Sequence, residues 1–207
     1  MLEYLANGRD IMNVIFLDFD GVLDTIHYNS NDDVEKKVAI LADICNTYNC
    51  KVVIEAAAKD AIDEDTMEVT GKWVTFIFSL FDKYGIECIG RTPNVLKKYD
   101  RLSSVPMWKE DEIRLYLFRH PEIEHYCVID DDDLQPYNSD LNKVRDHLLT
   151  TIYYSSDPDE EGLLEEHKEK IGELLKKENE IRRLVLKRKI CWTYIILFFD
   201  IPFSVSL

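Results

Sequence analysis

Two aspartates, Asp18 and Asp20, come directly after an apolar run in the stretch VIFLDFDGVLDT, which spans residues 14–25. Burying a carboxylate costs several kcal/mol unless a cation or hydrogen bonds compensate for the lost water. A bound metal ion would supply that compensation, because carboxylate oxygens are good ligands for a hard divalent cation. The pair therefore predicts a metal site at the end of this run, and the other acids of the chain must support it.

A second group of acids, the four aspartates of CVIDDDDL, follows another apolar stretch at residues 130–133. Parallel sheets bind ligands at the carboxyl ends of their strands, so acids that end separate strands can meet in one crevice. Adjacent carboxylates repel one another unless they are solvated or bound to a cation, and oxygen-only ligands favour Mg²⁺. Taken alone, this run is also typical of a solvated acidic loop that caps the next helix. Together with DFDG, it favours a metal site.

The segments that must position these acids alternate between short β-branched runs and longer amphipathic stretches. This alternation is typical of βαβ units, and it predicts an α/β fold with a mostly parallel sheet of about five strands and helices on both faces. The predicted strands cover residues 14–18, 51–55, 86–90, 126–130 and 148–153. The predicted helices cover residues 34–47, 71–85, 109–121 and, as one long amphipathic segment, 157–189.

The composition is typical of one soluble globular domain, with 207 residues of which 46% are hydrophobic and 31% are charged. The net charge of −15 opposes stable nucleic-acid binding, which depends on Lys and Arg to neutralise phosphates. The five cysteines lack CxxC spacing and no Gly-rich phosphate loop occurs, which argues against zinc, disulfides and a nucleotide-binding P-loop. Buried thiols and the lack of a secretory signal predict a cytoplasmic protein.

The two ends of the sequence differ from its centre. Residues 1–11 carry no periodic pattern, so we expect Met12 to be the true start and the preceding residues to be a non-native leader. We expect one domain at 12–178, followed at 179–207 by the end of a helix and an apolar tail. An acid and a proline interrupt this tail, which is short for a membrane span of about 20 residues. A packed terminal strand or helix, a membrane-associating tail and a sequence-end artefact are the three interpretations.

The stretch FLDFDGVL, which contains the first pair of aspartates, resembles the first motif of the haloacid dehalogenase-like (HAD) superfamily. The resemblance implies a three-layer Rossmann-like fold. It also implies that Asp18 is the nucleophile that forms an aspartyl-phosphate and that Asp20 is the general acid and base. The later acidic motif implies that Asp130 and Asp131 bind Mg²⁺ together with Asp18 and the Asp20 backbone carbonyl. Lys109 matches the basic residue that neutralises the phosphoryl charge in this superfamily.

The second motif of the superfamily is where this chain departs from the pattern. HAD phosphatases usually place Ser or Thr after the second strand, whereas this chain reads VVIEAAAKD, with Glu55 and Ala56 at that place. A glutamate that faces a phosphoryl group would repel it. Three alternatives follow: Glu55 points away, it forms a salt bridge with Lys59 or Lys109, or turnover is impaired. The backbone N–H at Ala56 is a remaining candidate for holding phosphate.

The second half of the chain extends the resemblance. KEDEIRLYLFRHPEIEHYCVIDDDDL, then HLLTT, then GLLEEHKEKIGELL are similar to the HAD domain associated with Swiss Army Knife RNA repair proteins, so that the resemblance covers residues 12–176. It implies a role in RNA-end processing or a general phosphatase role. The short segments between the predicted strands leave no room for a large cap. An uncapped site admits a polymer end, a phosphoprotein or a substrate that another protein delivers.

One loop, RTPNVLKKYDRLSSVPMW at residues 91–108, is locally basic and carries aromatic residues. Its basic and aromatic members are Arg91, Lys97, Lys98, Arg101, Tyr99 and Trp108. Such interleaving can serve single-stranded nucleic acid. A solvated loop with a core tryptophan is the alternative interpretation.

These observations lead to two functional hypotheses. The first is a Mg²⁺-dependent phosphohydrolase that acts through an aspartyl-phosphate on an exposed phosphate ester, such as an RNA or nucleotide end or a phosphoprotein. The second is a catalytically impaired module that binds a phosphorylated ligand or partner. Glu55 discriminates between them, because a glutamate turned into the pocket favours the binding module. A receiver-like phosphoacceptor is less consistent with the sequence, because Asp20 would have no role there.

Overall fold

The computed structural model of the protein describes residues 12–27, 30–94, 109–134 and 144–184. In this part of the chain the strands are β1 (Met12–Leu17), β2 (Cys50–Ile54), β3 (Cys88–Arg91), β4 (Ile123–Asp130) and β5 (Leu148–Thr150). The α-helices are α1 (Asn31–Tyr48), α2 (Lys72–Tyr84), α3 (Lys109–Arg119) and α4 (His167–Leu174). Short 3₁₀ helices lie at Ala57–Ala61, Arg145–His147 and Pro158–Glu160.

The five strands form one sheet in the order β3-β2-β1-β4-β5, and every neighbouring pair is parallel. This confirms the predicted α/β, Rossmann-like fold. Strand order reverses at β1, with β2 and β3 on one side and β4 and β5 on the other. Open α/β sheets bind ligands at such a reversal, outside the carboxyl ends of the strands. Because Leu17 pairs with Ile129, the next residues, Asp18 and Asp130, lie side by side at this place.

The side chains of β1 alternate between two hydrophobic cores, as the geometry of a strand requires. Ile15 and Leu17 pack with residues of α1, α2 and α4, whereas Val14 and Phe16 pack with residues of α3. All four side chains are fully buried. Since helices cover both faces, the strands are continuous apolar runs, and this explains why they could be predicted from the sequence.

Local capping sets the ends of the first two helices. The Ser30 hydroxyl accepts a hydrogen bond from the Asp33 backbone N–H at 3.3 Å and so begins α1. Asn49 ends α1 in the left-handed region, and Gly85 ends α2 in the same way. The predictions of helices at 34–47 and 71–85 are confirmed to within a few residues.

β5 is shorter than the sequence pattern predicts, because it ends at Thr150 instead of residue 153. After this point the backbone turns toward other loops. The Thr151 hydroxyl donates to the Gly21 carbonyl at 2.7 Å, and the Tyr153 carbonyl accepts from the Ile26 N–H at 3.3 Å. Tyr153 is therefore not part of the sheet, although its type and position favour a strand.

The prediction of one long helix at 157–189 is wrong. α4 ends at Leu174, and a new helical stretch begins at residue 180. Asn179 causes the break, because its side-chain oxygen accepts from the Arg182 N–H at 3.1 Å and its Nδ2 donates to the Ile123 carbonyl at 2.9 Å. An asparagine that caps a new helix start and is bonded to β4 cannot continue the preceding helix.

Three further expectations can be compared with the described residues. No helix in this part of the chain is long and apolar enough to cross a membrane. The described cysteines, at positions 45, 50, 88 and 127, are free thiols. The described residues between β1 and α1 and between β2 and α2 form no cap domain. The proposed leader at 1–11 and the tail from residue 185 lie outside the described residues.

Candidate active site

Asp18 and Asp130 form the buried centre of the candidate site, each directly at the carboxyl end of its strand. The Phe19 backbone N–H donates to Asp18 Oδ1 at 2.6 Å, and the Asp132 N–H donates to Asp130 Oδ1 at 2.9 Å. Burial raises the pKa of Asp130 to about 7, and the negative charge of Asp18 adds to this shift. Burial also raises the pKa of Asp18. These two acids are therefore held in fixed orientations where their negative charge is costly.

Lys109 supplies the positive charge at this centre. It is the first residue of α3, and its Nζ donates to Asp18 Oδ2 and lies 3.0 Å from Asp130 Oδ2. Burial by itself lowers the pKa of Lys109, but the adjacent Asp18 and Asp130 outweigh burial and raise that pKa. The lysine therefore remains protonated and touches both acids. The structure brings together three residues that are far apart in the sequence but were predicted to share one site.

Asp131 completes a cluster of three carboxylates. One oxygen each of Asp18, Asp130 and Asp131 lies within 4.8 Å of the other two. Burial raises the pKa of Asp131, and Asp18 contributes to the shift. Three acids with one ammonium group leave excess negative charge, and an oxygen-only donor set suits Mg²⁺. The residues present therefore fit the predicted cation.

Asp20 occupies a different position from the cluster. Asp20 is exposed on the loop after β1. Among the described residues, its carboxylate is not part of the cluster that Asp18, Asp130 and Asp131 form. In the sequence-based hypothesis only its backbone carbonyl contacts the metal. An exposed carboxylate two residues after the buried Asp18 is accessible to a substrate and to water, as the acid–base role requires.

Gly21 lets the two acidic loops approach each other. Its φ is +70°, a region that L side chains rarely adopt, and a Cβ at this position would overlap the side chain of Asp131. The Thr151 hydroxyl fixes the same turn by donating to the Gly21 carbonyl. Two features therefore require glycine at this position: the left-handed turn and the close approach of the Asp131 side chain. Both allow the loop of Asp18 to lie next to the loop of Asp131.

Glu55 is turned toward Lys59. Glu55 is buried after β2, and Lys59 Nζ lies 3.1 Å from its Oε1 and 3.2 Å from its Oε2. Lys59 Nζ also donates to Glu112 Oε2, and the Thr92 hydroxyl donates to Glu55. Of the two lysines considered as salt-bridge partners, Lys59 is the one that Glu55 contacts. We call Glu55, Lys59, Thr92 and Glu112 the buried ion network.

The charge of Glu55 is reduced at neutral pH. Burial raises its pKa to about 8, with Lys59 acting against the shift and Glu112 adding to it. Ala56, the next residue, is also buried, and its carbonyl accepts from the Lys59 N–H at 3.0 Å as the 3₁₀ helix Ala57–Ala61 begins. A largely neutral carboxyl group that is turned to Lys59 removes most of the repulsion that a glutamate at this place would exert on phosphate.

The sequence-based reasoning missed two members of the buried ion network. Thr92 directly follows β3, so the rule that assigns ligands to strand ends could have identified it. Glu112 lies three residues after Lys109 on α3, and residues at this spacing share one helix face. Sequence alone does not indicate that this face meets the end of β2.

Arg91 is bound into the scaffold. Its Nε donates to the Ile62 carbonyl at 2.6 Å and its Nη1 donates to the Thr92 carbonyl at 3.0 Å. The guanidinium group of Arg91 is therefore used in bonds within the protein, whereas a nucleic-acid surface needs basic groups that are available to phosphate. The other residues of the proposed basic loop, which begin at Lys97 and end at Trp108, lie outside the described residues.

Glu110 is a buried carboxylate, 2% exposed, whose two oxygens have no hydrogen-bond partner in the described part of the chain. Burial raises its pKa from 4.5 to about 7, although Arg114 opposes the shift. Folding therefore raises the pKa of Glu110. Below about pH 4.5 the residue is neutral in both states and does not reduce the unfolding free energy, and as the pH rises from there through about 7 the unfolding free energy falls.

A Glu110→Gln variant is therefore expected to exceed the wild type in unfolding free energy by about 1–3 kcal/mol at pH 8, with little difference at pH 5. Urea unfolding at both pH values measures this. The matched control is Glu173→Gln, at an exposed carboxylate whose side chain is 66% accessible. An equal Glu110→Gln effect at the two pH values would contradict the assignment of a raised pKa.

Comparison with known protein families gives a match over most of the chain. The HAD domain in Swiss Army Knife RNA repair proteins matches the chain over residues 14–156, which is more than half of its length. This stretch includes both acidic loops, Lys109 and the buried ion network. No curated protein and no solved structure gives a significant match. On the strength of the family match, the chain belongs to the HAD domains of Swiss Army Knife RNA repair proteins.

Proposed function

We propose that this HAD domain is a Mg²⁺-dependent phosphohydrolase that acts through an aspartyl-phosphate on Asp18. The observation that carries the proposal is the contact of Lys109 with both Asp18 and Asp130 at the carboxyl ends of β1 and β4. A buried carboxylate beside a fixed ammonium group is oriented for attack, and the same ammonium can neutralise a phosphoryl oxygen. Asp130 and Asp131 would provide further ligands for Mg²⁺.

In the proposed reaction, an Asp18 oxygen forms a bond to phosphorus while the bond from phosphorus to the leaving oxygen breaks. Asp20, in its protonated form, donates a proton to that leaving oxygen. Asp20 then accepts a proton from water, whose oxygen attacks the phosphorus and releases inorganic phosphate and the Asp18 carboxylate. Lys109 stabilises the negative charge in both steps. Mg²⁺, held by Asp18, Asp130 and Asp131, would supply charge neutralisation and alignment of the phosphoryl group.

The orientation of Glu55 supports the hydrolase over the binding module. Its carboxyl group is paired with Lys59 and the Thr92 hydroxyl, and Lys109 is paired with Asp18 and Asp130 instead. A phosphoryl group beside Asp18 would therefore not meet a free carboxylate from β2. The missing Ser or Thr is expected to weaken phosphate binding without removing the nucleophile or the cation ligands.

We further propose that the substrate is an exposed phosphate ester in the cytoplasm. The described segments around the site include no cap, so the ester does not have to be a small enclosed metabolite. The net charge of −15 disfavours a long nucleic acid as a stable partner, which leaves a nucleotide, an RNA end or a phosphoprotein.

The test is phosphate release from a panel of nucleoside monophosphates, 5′- and 3′-phosphorylated oligonucleotides, a phosphopeptide and p-nitrophenyl phosphate. Each reaction is run with Mg²⁺ and with a chelator. We expect release from at least one substrate, dependent on Mg²⁺ and lost on chelation. A folded protein that releases no phosphate from any substrate above an Asp18→Asn preparation would overturn the proposal in favour of the binding module.

A further inference from the structure

We infer that an exposed aromatic surface beside the active site stacks against the base of the substrate, so that the substrate is a nucleotide or a terminal nucleotide with a single phosphate. This inference rests on the proposed function and specifies its substrate class. We call the surface, formed by His27, Tyr153 and Tyr154 with Ile26 and Ile152 beside them, the aromatic platform.

Exposed apolar side chains are concentrated on the aromatic platform. In the described residues six large hydrophobic side chains are exposed, and four of them are Ile26, Ile152, Tyr153 and Tyr154. The rings of His27 and Tyr154 are 5.5 Å apart with an angle of 30° between their planes. Single exposed hydrophobic residues need no explanation, but such a concentration marks a binding surface.

The aromatic platform adjoins the loop that carries the proposed nucleophile and acid. Thr151, which precedes the platform segment, donates to the Gly21 carbonyl at 2.7 Å, next to Asp20. Consecutive Cα atoms are about 3.8 Å apart, so Tyr153 lies at most about 8 Å along the chain from Thr151. The platform segment therefore begins directly after a residue that is bonded to the loop of Asp18 and Asp20.

A buried acid holds the platform in place. Glu161 is fully buried and accepts hydrogen bonds from His27 Nδ1 at 2.6 Å, from the His27 N–H at 3.2 Å and from the Ser155 N–H at 2.8 Å. These bonds connect the chain after β1 to the chain after β5. A surface that is ordered before binding loses less entropy when a ligand stacks on it.

The charge around the platform determines which aromatic ligand fits. Asp20 and Asp24 lie on the adjoining loop, and a long phosphate backbone would be repelled there. A nucleotide with one terminal phosphate places its charge at Lys109 and its neutral planar base on the rings. Stacking on aromatic side chains tolerates any base, since every base has a π face.

The test compares two ligands that share a phosphate but differ in the base, a nucleoside 5′-monophosphate and ribose 5-phosphate. Their dissociation constants are measured by calorimetry with Mg²⁺ in the Asp18→Asn protein, so that turnover does not obscure binding. We expect the nucleotide to bind about 5- to 100-fold more tightly than the sugar phosphate. Tyr154→Ala should remove most of this preference, and Tyr154→Phe should retain it.

Phe118→Ala is the matched control, because Phe118 is 53% exposed and Tyr154 is 62% exposed. Phe118 lies near the end of α3 distant from Lys109, about 13 Å along the helix axis. This variant should keep the full preference for the nucleotide. Equal affinity for the two ligands, or a preference that survives Tyr154→Ala, would overturn the inference and would leave the platform to a protein partner. Failure of the proposed function is a separate outcome, namely no Asp18-dependent phosphate release.

Discussion

Asp18→Asn is expected to reduce Mg²⁺-dependent phosphate release by at least about 10³-fold, because a side-chain amide does not form the proposed covalent intermediate. The substitution is nearly isosteric, so the hydrogen bond from the Phe19 N–H to Oδ1 can persist. Lys109 keeps its contact with Asp130. Initial rates of phosphate release at saturating substrate measure the effect.

The fold should survive this substitution. Burial raises the pKa of Asp18, so a neutral amide is expected to leave the unfolding free energy of the protein unchanged or to increase it. Asp43→Asn removes the same charge at an exposed surface position and is the matched control, which should retain wild-type rates. Activity of Asp18→Asn above about a tenth of the wild-type rate would show that Asp18 is not the nucleophile.

Lys59→Met is expected to lower the unfolding free energy by about 3–5 kcal/mol, since it leaves two buried carboxylates without their cation. Lys59 contacts both Glu55 and Glu112, and all three side chains are buried. Without the lysine, ionisation of these buried carboxyl groups becomes more costly, and burial already raises the pKa of Glu55 to about 8. The unfolded chain ionises its glutamates without this cost, so the stability deficit should be larger at pH 8 than at pH 5.

Chemical denaturation of Lys59→Met at both pH values checks this expectation. Lys36→Met is the matched control, because Lys36 pairs with Asp33 but its side chain is 74% exposed. Exposed ion pairs contribute about 0–1 kcal/mol, so the control should change little. A loss below about 1 kcal/mol in Lys59→Met would mean that the buried ion network is not held together by this lysine.

The regular part of the fold is predictable from the sequence because its signals are local. Strands buried on both faces are apolar runs, Ser30 caps the start of α1, and Gly85 ends α2. The two errors have tertiary causes. Tyr153 is of a residue type that favours strands, but its carbonyl accepts a hydrogen bond from Ile26 on another loop. Asn179 lies within an amphipathic helical pattern, but its side chain is bonded to the Ile123 carbonyl of β4.

The candidate site divides in the same way. Asp18 and Asp130 could be placed together because strand ends of a parallel sheet share one edge. Lys59 lies four residues after Glu55, so this partner was also accessible to sequence reasoning. Thr92 reaches Glu55 from the end of β3, which pairs with β2, whereas Glu112 reaches Lys59 only because α3 packs on the sheet.

Two charged residues of helix α3, Lys109 and Glu112, bond to Asp18 and to Lys59, respectively, and are less than one turn apart. A slip of one residue would move the helix by about 1.5 Å and rotate it by about 100°, so both contacts would be lost together. The helix therefore has one discrete docked position. A slip that moves the Lys109 ammonium group away from Asp18 would also break the ion pair between Lys59 and Glu112. Gradual sliding of the helix along its axis is therefore incompatible with keeping either contact.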